Sequence, residues 1–98
     1  MPLPVPTSGI AEFCRRWKVA RLGVIGSVLR PDFGPESDVD VVVVFTADAA
    51  WDMFDIVRMR GELATIFQRQ VDIIEEPAVR NPYMLESIRR TQRVLYAA

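Results

Sequence analysis

Three aspartates, Asp38, Asp40 and Asp72, interrupt stretches otherwise dominated by valine and isoleucine: Asp38-Val39-Asp40-Val41-Val42-Val43-Val44-Phe45 and Val71-Asp72-Ile73-Ile74. Side chains alternate across a strand, so Asp38 and Asp40 are expected on one face, about 7 Å apart along it. If the strand bearing Asp72 lies beside theirs, three carboxylates converge. In a partly dry cleft they repel one another, and a divalent cation is the natural remedy. The chain has no histidine and a single cysteine, Cys14, so its metal chemistry must rest on hard oxygen ligands. Such ligands favour Mg2+, with Mn2+ as the alternative, completed by water and substrate phosphates. Two ions roughly 3.5–4 Å apart stabilise both the attacking and the leaving oxygen of a displacement at phosphorus.

A phosphate cradle is expected at Gly26-Ser27, where the glycine lets backbone amides approach closely and the Ser27 hydroxyl donates at the start of a helical turn. Arg30, one turn on, either reaches a triphosphate oxygen or pairs with Asp32 or Glu36. Ser37 completes the candidate nucleotide-binding set. Each feature has a plainer reading: Ser37-Asp38 as turn chemistry, Gly26 as a strand end, Ser27 as a cap, and Asp72 neutralised by Arg69 or Arg80. Asp40 resists such a reading, because an unpaired carboxylate within a valine-rich central strand is costly.

The elements that must position these residues follow from periodicity. After Pro2-Leu3-Pro4-Val5-Pro6, Ser8 is expected to cap a first helix whose apolar face is Ile10, Phe13, Cys14 and Trp17. Val19 to Ile25 reads as a strand in which Gly23 lets a neighbour approach closely. Arg30 to Ser37 is a loop rich in breakers, and Asp38 to Phe45 a central strand covered on both faces. Asp48 to Gln68 is expected as one long amphipathic helix carrying Met53, Ile56, Val57, Leu63, Ala64 and Phe67, with Gly61 a mild defect. Gln70 to Ile74 makes a third strand, Glu75 to Arg80 a loop, and Asn81-Pro82 a capped helix start. Tyr83, Met84, Ser87, Ile88 and Thr91 are read as carrying that last helix, and Val94-Leu95-Tyr96 as an edge strand. Trp17, Trp51, Phe54 and Phe67 are read as core or interface residues, Tyr83 and Tyr96 as packing. The fold class is α/β (α+β): a small mixed sheet of three to four strands flanked by helices, with residues 1–7 a flexible tail and 8–98 a single domain.

Composition bounds the function. The 98 residues are 50% hydrophobic and 26% charged, with a formal net charge of -1, a mixture that excludes a disordered chain and a global field attracting nucleic acid. The basic clusters Arg15-Arg16-Lys18 and Arg89-Arg90-Arg93 are read as solvated faces. The start lacks a basic n-region and a long apolar stretch, so a cytoplasmic protein is expected.

Gly26-Ser27, ten intervening residues and then Asp38-Val39-Asp40 resemble the signature of the polymerase-β-type nucleotidyltransferases, and Val71-Asp72-Ile73-Ile74 resembles that family's third carboxylate strand. The whole chain, including Asn81-Pro82-Tyr83 and Arg93-Val94-Leu95-Tyr96, is similar to the minimal nucleotidyltransferase (MNT) proteins, the antitoxin halves of HEPN/MNT toxin–antitoxin pairs. The resemblance implies that Gly26 and Ser27 hold the triphosphate of ATP, that Asp38 and Asp40 ligate two Mg2+ ions, and that Asp72 ligates one and helps deprotonate the acceptor hydroxyl. Pro31 departs from the glycine that follows the motif arginine in many relatives. The implied activity is Mg-dependent transfer of AMP to a tyrosine of a HEPN ribonuclease toxin, which arrives as a separate folded partner. An antitoxin that neutralises by occlusion alone is the alternative, and a small α/β scaffold whose acidic cluster only stores calcium or pairs with arginine a third reading. The apolar residues Trp51, Met53 and Phe54 exceed what so small a domain is expected to bury, which favours an interface in either antitoxin reading.

Overall fold

In the computed structural model, which describes residues 7–25 and 38–98, the valine-rich segment Val39–Phe45 (β2) is a central strand with neighbours on both sides. Val19–Ile25 (β1) pairs with it antiparallel and Val71–Glu75 (β3) pairs with it parallel. Arg93–Ala97 (β4) adds antiparallel to β1, so the mixed sheet runs β3-β2-β1-β4. A parallel pair needs a crossover. Met53–Phe67 (α2) provides it, while Thr7–Arg16 (α1) precedes the sheet and Pro82–Thr91 (α3) leads into β4. A mixed sheet of four strands with three helices is the expected fold class.

Alternation divides the sheet residues between two faces. Leu22 and Val24 of β1, Val39, Val41 and Val43 of β2, and Val71 and Ile73 of β3 share one core with Ile10, Phe13, Cys14 and Trp17 of the α1 segment and Met59, Leu63 and Phe67 of α2. Val42, from the opposite face of β2, is buried outside that core, as is Ile88 of α3. Gly23 pairs with Val42 and also faces away from the main core. A Cβ on Gly23 would collide with the Gln92 amide, so glycine is there for the close approach of the chain entering β4. The amide nitrogen of Gln92 donates to Glu76 Oε1 at 3.3 Å, and Arg21 Nη2 donates to Glu76 Oε2 at 2.5 Å. Glu76, only 6% exposed, opens a short 3-10 turn, Glu76–Ala78, in the stretch expected to be loop.

The helices begin and end where local chemistry demands. α1 starts at Thr7, one residue ahead of the expected Ser8 cap, so Ser8 is helical. α2 starts at Met53 rather than Asp48. Asp52 is its N-cap, with a capping box in which Asp55 N donates to Asp52 Oδ1 at 2.9 Å and Asp52 N to Asp55 Oδ2 at 3.1 Å. Residues ahead of it are held otherwise: Thr46 Oγ1 donates to Asp48 Oδ1 at 2.6 Å, and Trp51 Nε1 to the Trp17 carbonyl at 2.9 Å. The two tryptophan rings meet edge to face at 5.0 Å. The inward stripe of α2 is Met59, Leu63 and Phe67; Met53 and Val57, expected on it, are 80% and 51% exposed. Asn81 caps α3 with Pro82 in its first turn, as expected, yet Tyr83 and Met84 are exposed and only Ile88 is buried. The expected edge strand is present as β4.

Two outcomes check this packing. Leu63 is fully buried between α2 and the sheet, so Leu63→Ala should cost about 2–5 kcal/mol in a urea melt. Burial pushes the Cys14 thiol up to about 12, against a smaller opposing effect of Arg15. Native protein at pH 8 should therefore leave a disulfide reagent unreacted, and urea-unfolded protein should consume one equivalent.

Candidate active site at the head of the parallel strands

Val39 N donates to the Gln70 carbonyl at 2.9 Å, closing the head of β2 onto the head of β3. From there the parallel register places Val39 opposite Val71 and Asp40 opposite Asp72. With Val39 and Val71 facing the core, Asp40 and Asp72 face away from it together, on strands about 4.8 Å apart. Asp38 lies one residue ahead of β2 and is exposed, as is Asp72; Asp40 is half-buried. On its other side Asp40 is paired with Ile25, the residue directly before Gly26-Ser27 in the chain. Gly26, Ser27, Arg30 and Ser37 themselves lie outside the described residues.

The electrostatics are those of crowded anions. Two unit charges 5 Å apart repel by about 1 kcal/mol in bulk water and about 3 kcal/mol at an effective dielectric of 20. Asp40 responds accordingly: burial raises its pKa above the ordinary carboxylate value, and Asp72 and then Asp38 raise it further. Among the described residues, no three acidic, cysteine or histidine side chains are already gathered into a metal-binding group. The donor set nevertheless fits a hard divalent cation, since all three groups are carboxylates and the central one is disfavoured as an anion by its neighbours.

A cavity of about 350 Å³ opens beside Asp72, between β3 and α2. Its α2 wall is Val57, Arg60, Gly61 and Ala64, residues at the i, i+3, i+4, i+7 spacing of one helix face. In the sequence that face was masked by the stronger core stripe, and Gly61 showed only as a helix defect. The basic clusters behave as solvated faces where they are described: Arg16 pairs with Glu12 and Glu62, Lys18 with Asp48, Arg90 with Glu86.

The raised pKa of Asp40 has a definite sign. A carboxyl whose folded pKa lies above its unfolded value destabilises the metal-free fold at neutral pH, and that penalty is relieved as pH falls through the folded pKa. Asp40→Asn should therefore raise the melting temperature measured in chelator at pH 7, with the gain shrinking in melts taken at progressively lower pH. A lowered melting temperature at pH 7 would mean that Asp40 is held by favourable contacts instead.

A model of the family described as "Nucleotidyltransferase domain" matches residues 8–94. The Methanocaldococcus jannaschii protein named "Putative protein adenylyltransferase MJ1379" is 29% identical over 73 residues, 74% of this chain and 73% of that protein. Among solved structures, a toxin–antitoxin crystal structure with AMP-PNP superposes with a TM-score of 0.76 at 18% identity, covering 96% of this chain and 75% of that one. One described as "Structure of putative minimal nucleotidyltransferase" gives 0.72 at 26% identity, covering 89% and 86%. A complex of a tri-AMPylated Shewanella oneidensis HEPN toxin with its MNT antitoxin gives 0.66 at 18%, covering 94% and 70%. With the family model spanning residues 8–94, nearly all of the sheet and helices, the chain belongs to the nucleotidyltransferase domain family.

Proposed function

We propose that this nucleotidyltransferase moves AMP from ATP to a tyrosine hydroxyl of a HEPN-type toxin and thereby acts as its antitoxin. The observation that carries the reading is the register of Asp40 against Asp72, which brings carboxylates from two strands to one open strand end. The structural neighbours support it in kind: one is a toxin–antitoxin structure with AMP-PNP, another a HEPN toxin carrying AMP units beside its MNT antitoxin. The curated relative bears an adenylyltransferase name.

In this reading Asp38 and Asp40 would hold two Mg2+ ions and Asp72 one of them. When bound, the metal supplies positive charge against the phosphates and their developing negative charge. Gly26, Ser27, Arg30 and Ser37 hold the triphosphate. The acceptor oxygen forms a bond to the α-phosphorus, the bond from that phosphorus to the bridging oxygen breaks, pyrophosphate leaves, and the hydroxyl proton passes to the Asp72 carboxylate. Catalysis is then mainly positioning and charge stabilisation. Neutralisation by binding alone is the second reading, favoured by the exposure of Met53, Phe54 and Val57.

Incubation with ATP, Mg2+ and the purified product of the neighbouring reading frame, followed by intact-mass measurement, separates the two. Transfer should add whole AMP units to the partner, stop in chelator, and fall at least about 100-fold in Asp40→Asn. Saturating ATP–Mg2+, at about a hundred times its Kd, should also stabilise the wild type by about 2.7 kcal/mol. A neutralised partner of unchanged mass would leave binding alone as the function.

A further inference from the structure

We infer that one face of α2, from Met53 and Phe54 through Val57 to Gly61 and Ala64, is a docking face for an apolar helix of a protein partner, edged with carboxylates. This rests on the function proposed above only in supposing a protein partner. It adds where that partner is gripped, and it sets the grip apart from the three aspartates.

Two apolar stripes run along α2. Met59, Leu63 and Phe67 bury against the sheet, whereas Met53, Phe54 and Val57 are 80%, 75% and 51% exposed and continue at helical spacing into Gly61 and Ala64. Gly61 shows what the second stripe is shaped for. No atom lies within 4 Å of where its Cβ would stand, so nothing described in this chain calls for glycine there, and within a helix glycine is a poor helix former. The space over a glycine is what the backbone of a second helix needs to come close. Val57 and Ala64, four residues before it and three after, flank that hollow and with Val71 line the cavity of about 350 Å³, which has room for side chains of a crossing helix. Met53 and Phe54 supply the large anchors and Gly61 the gap, as in recognition of one helix face by another.

Charge selects the occupant. Of the carboxylates of α2, Asp55 is engaged in the capping box and with Arg58, and Glu62 with Arg16 and the Trp17 ring nitrogen. Arg58 and Arg60, both exposed, flank the stripe on its two sides. A second copy docked face to face would set the same guanidiniums against each other across a two-fold axis, whereas carboxylates on a different protein meet them. Topology separates this grip from the aspartates. α2 follows the tail of β2 and leads to the head of β3, so about 20 Å of helix lies between Met53 and the strand end that bears Asp40 and Asp72. It also packs on the core face of the sheet, from which those two residues face away. Contacts made so far from the reacting atoms are equal in ground and transition states, so they set KM and leave kcat alone.

Phe54→Asp, Gly61→Leu and Arg60→Glu are compared with wild type for affinity to the purified neighbouring-frame product by calorimetry without ATP, for the kcat and KM of AMP transfer to it, and for the ATP–Mg2+ melting shift. All three should bind the partner at least tenfold more weakly and raise KM by the same factor, with kcat and the melting shift retained. Gly61→Leu should also melt higher than wild type without partner, so that its weaker binding is not misfolding. Affinities within twofold of wild type overturn the docking face. So does a fall in kcat at unchanged KM, or loss of the melting shift, because either assigns the face to the reacting groups or the nucleotide. A wild type that runs as a dimer on a sizing column, and is made monomeric by Gly61→Leu, gives the face to a second copy and overturns it as well. Weakened binding by the variants with no AMP transfer by wild type leaves the docking face standing and removes the enzymatic reading. Transfer with unweakened binding does the reverse, and a wild type that binds no partner removes both.

Discussion

Like charges brought together on adjacent strands are the constraint around which this domain is organised. Asp40 and Asp72 stand side by side because β2 and β3 pair in parallel and in register, and Asp38 joins them from the residue ahead of β2. A shift of one residue in that register would turn Asp40 toward the core and a valine toward the cleft. The strands resist such slippage because Val39, Val41, Val43, Val71 and Ile73 all bury on the opposite face. The hydrophobic effect therefore aims the carboxylates, and burial of the valines offsets the repulsion between them.

The remainder of the second face supports this arrangement at a distance. Glu76 directly follows β3, and its buried carboxylate receives Arg21 from β1 and Gln92 from just ahead of β4, with Arg89 at 4.0 Å. One residue thereby ties the end of β3 to β1, two places away in the sheet, and to the residue that leads into β4, three places away. Only the Glu76 side of these contacts is buried, so the arginines serve chiefly to satisfy a carboxylate that would otherwise be unpaired in the interior. Val42 and Ile88 close the apolar part of the same face. At the head of the strands, among the described residues, Asp38 and Asp72 are exposed.

The α2 helix serves both faces of the problem. Met59, Leu63 and Phe67 hold it to the sheet, and the crossover it makes is what permits β2 and β3 to be parallel. Val57, Arg60, Gly61 and Ala64 border the cavity at Asp72, and Met53 and Phe54 are exposed in the first turn of the helix. The excess of apolar residues noticed in the sequence around Trp51, Met53 and Phe54 resolves into two groups. Trp51 packs on Trp17 and donates to its carbonyl, whereas Met53 and Phe54 remain in solvent.

Local patterning alone determined much of this. The bounds of β1, the Asn81-Pro82 start of α3, the inward face of α1, the closeness of a neighbour at Gly23 and the β-branched central strand are all written in short-range periodicity and residue chemistry, which act over a few residues and need no partner. The helix expected from Asp48 starts instead at Met53, because the ties of Asp48 to Thr46 and Lys18 and of Trp51 to Trp17 hold the preceding residues otherwise, and these are contacts between segments. The same holds for Met53 and Val57, which share helical spacing with the core stripe but lie past the edge of the sheet. Convergence of Asp38, Asp40 and Asp72, burial of Glu76 against residues 55 and 16 positions away, and the cavity between α2 and β3 are decided by strand order and register alone. Those are set by which distant apolar faces bury together, a choice that belongs to the whole chain and to no window of it.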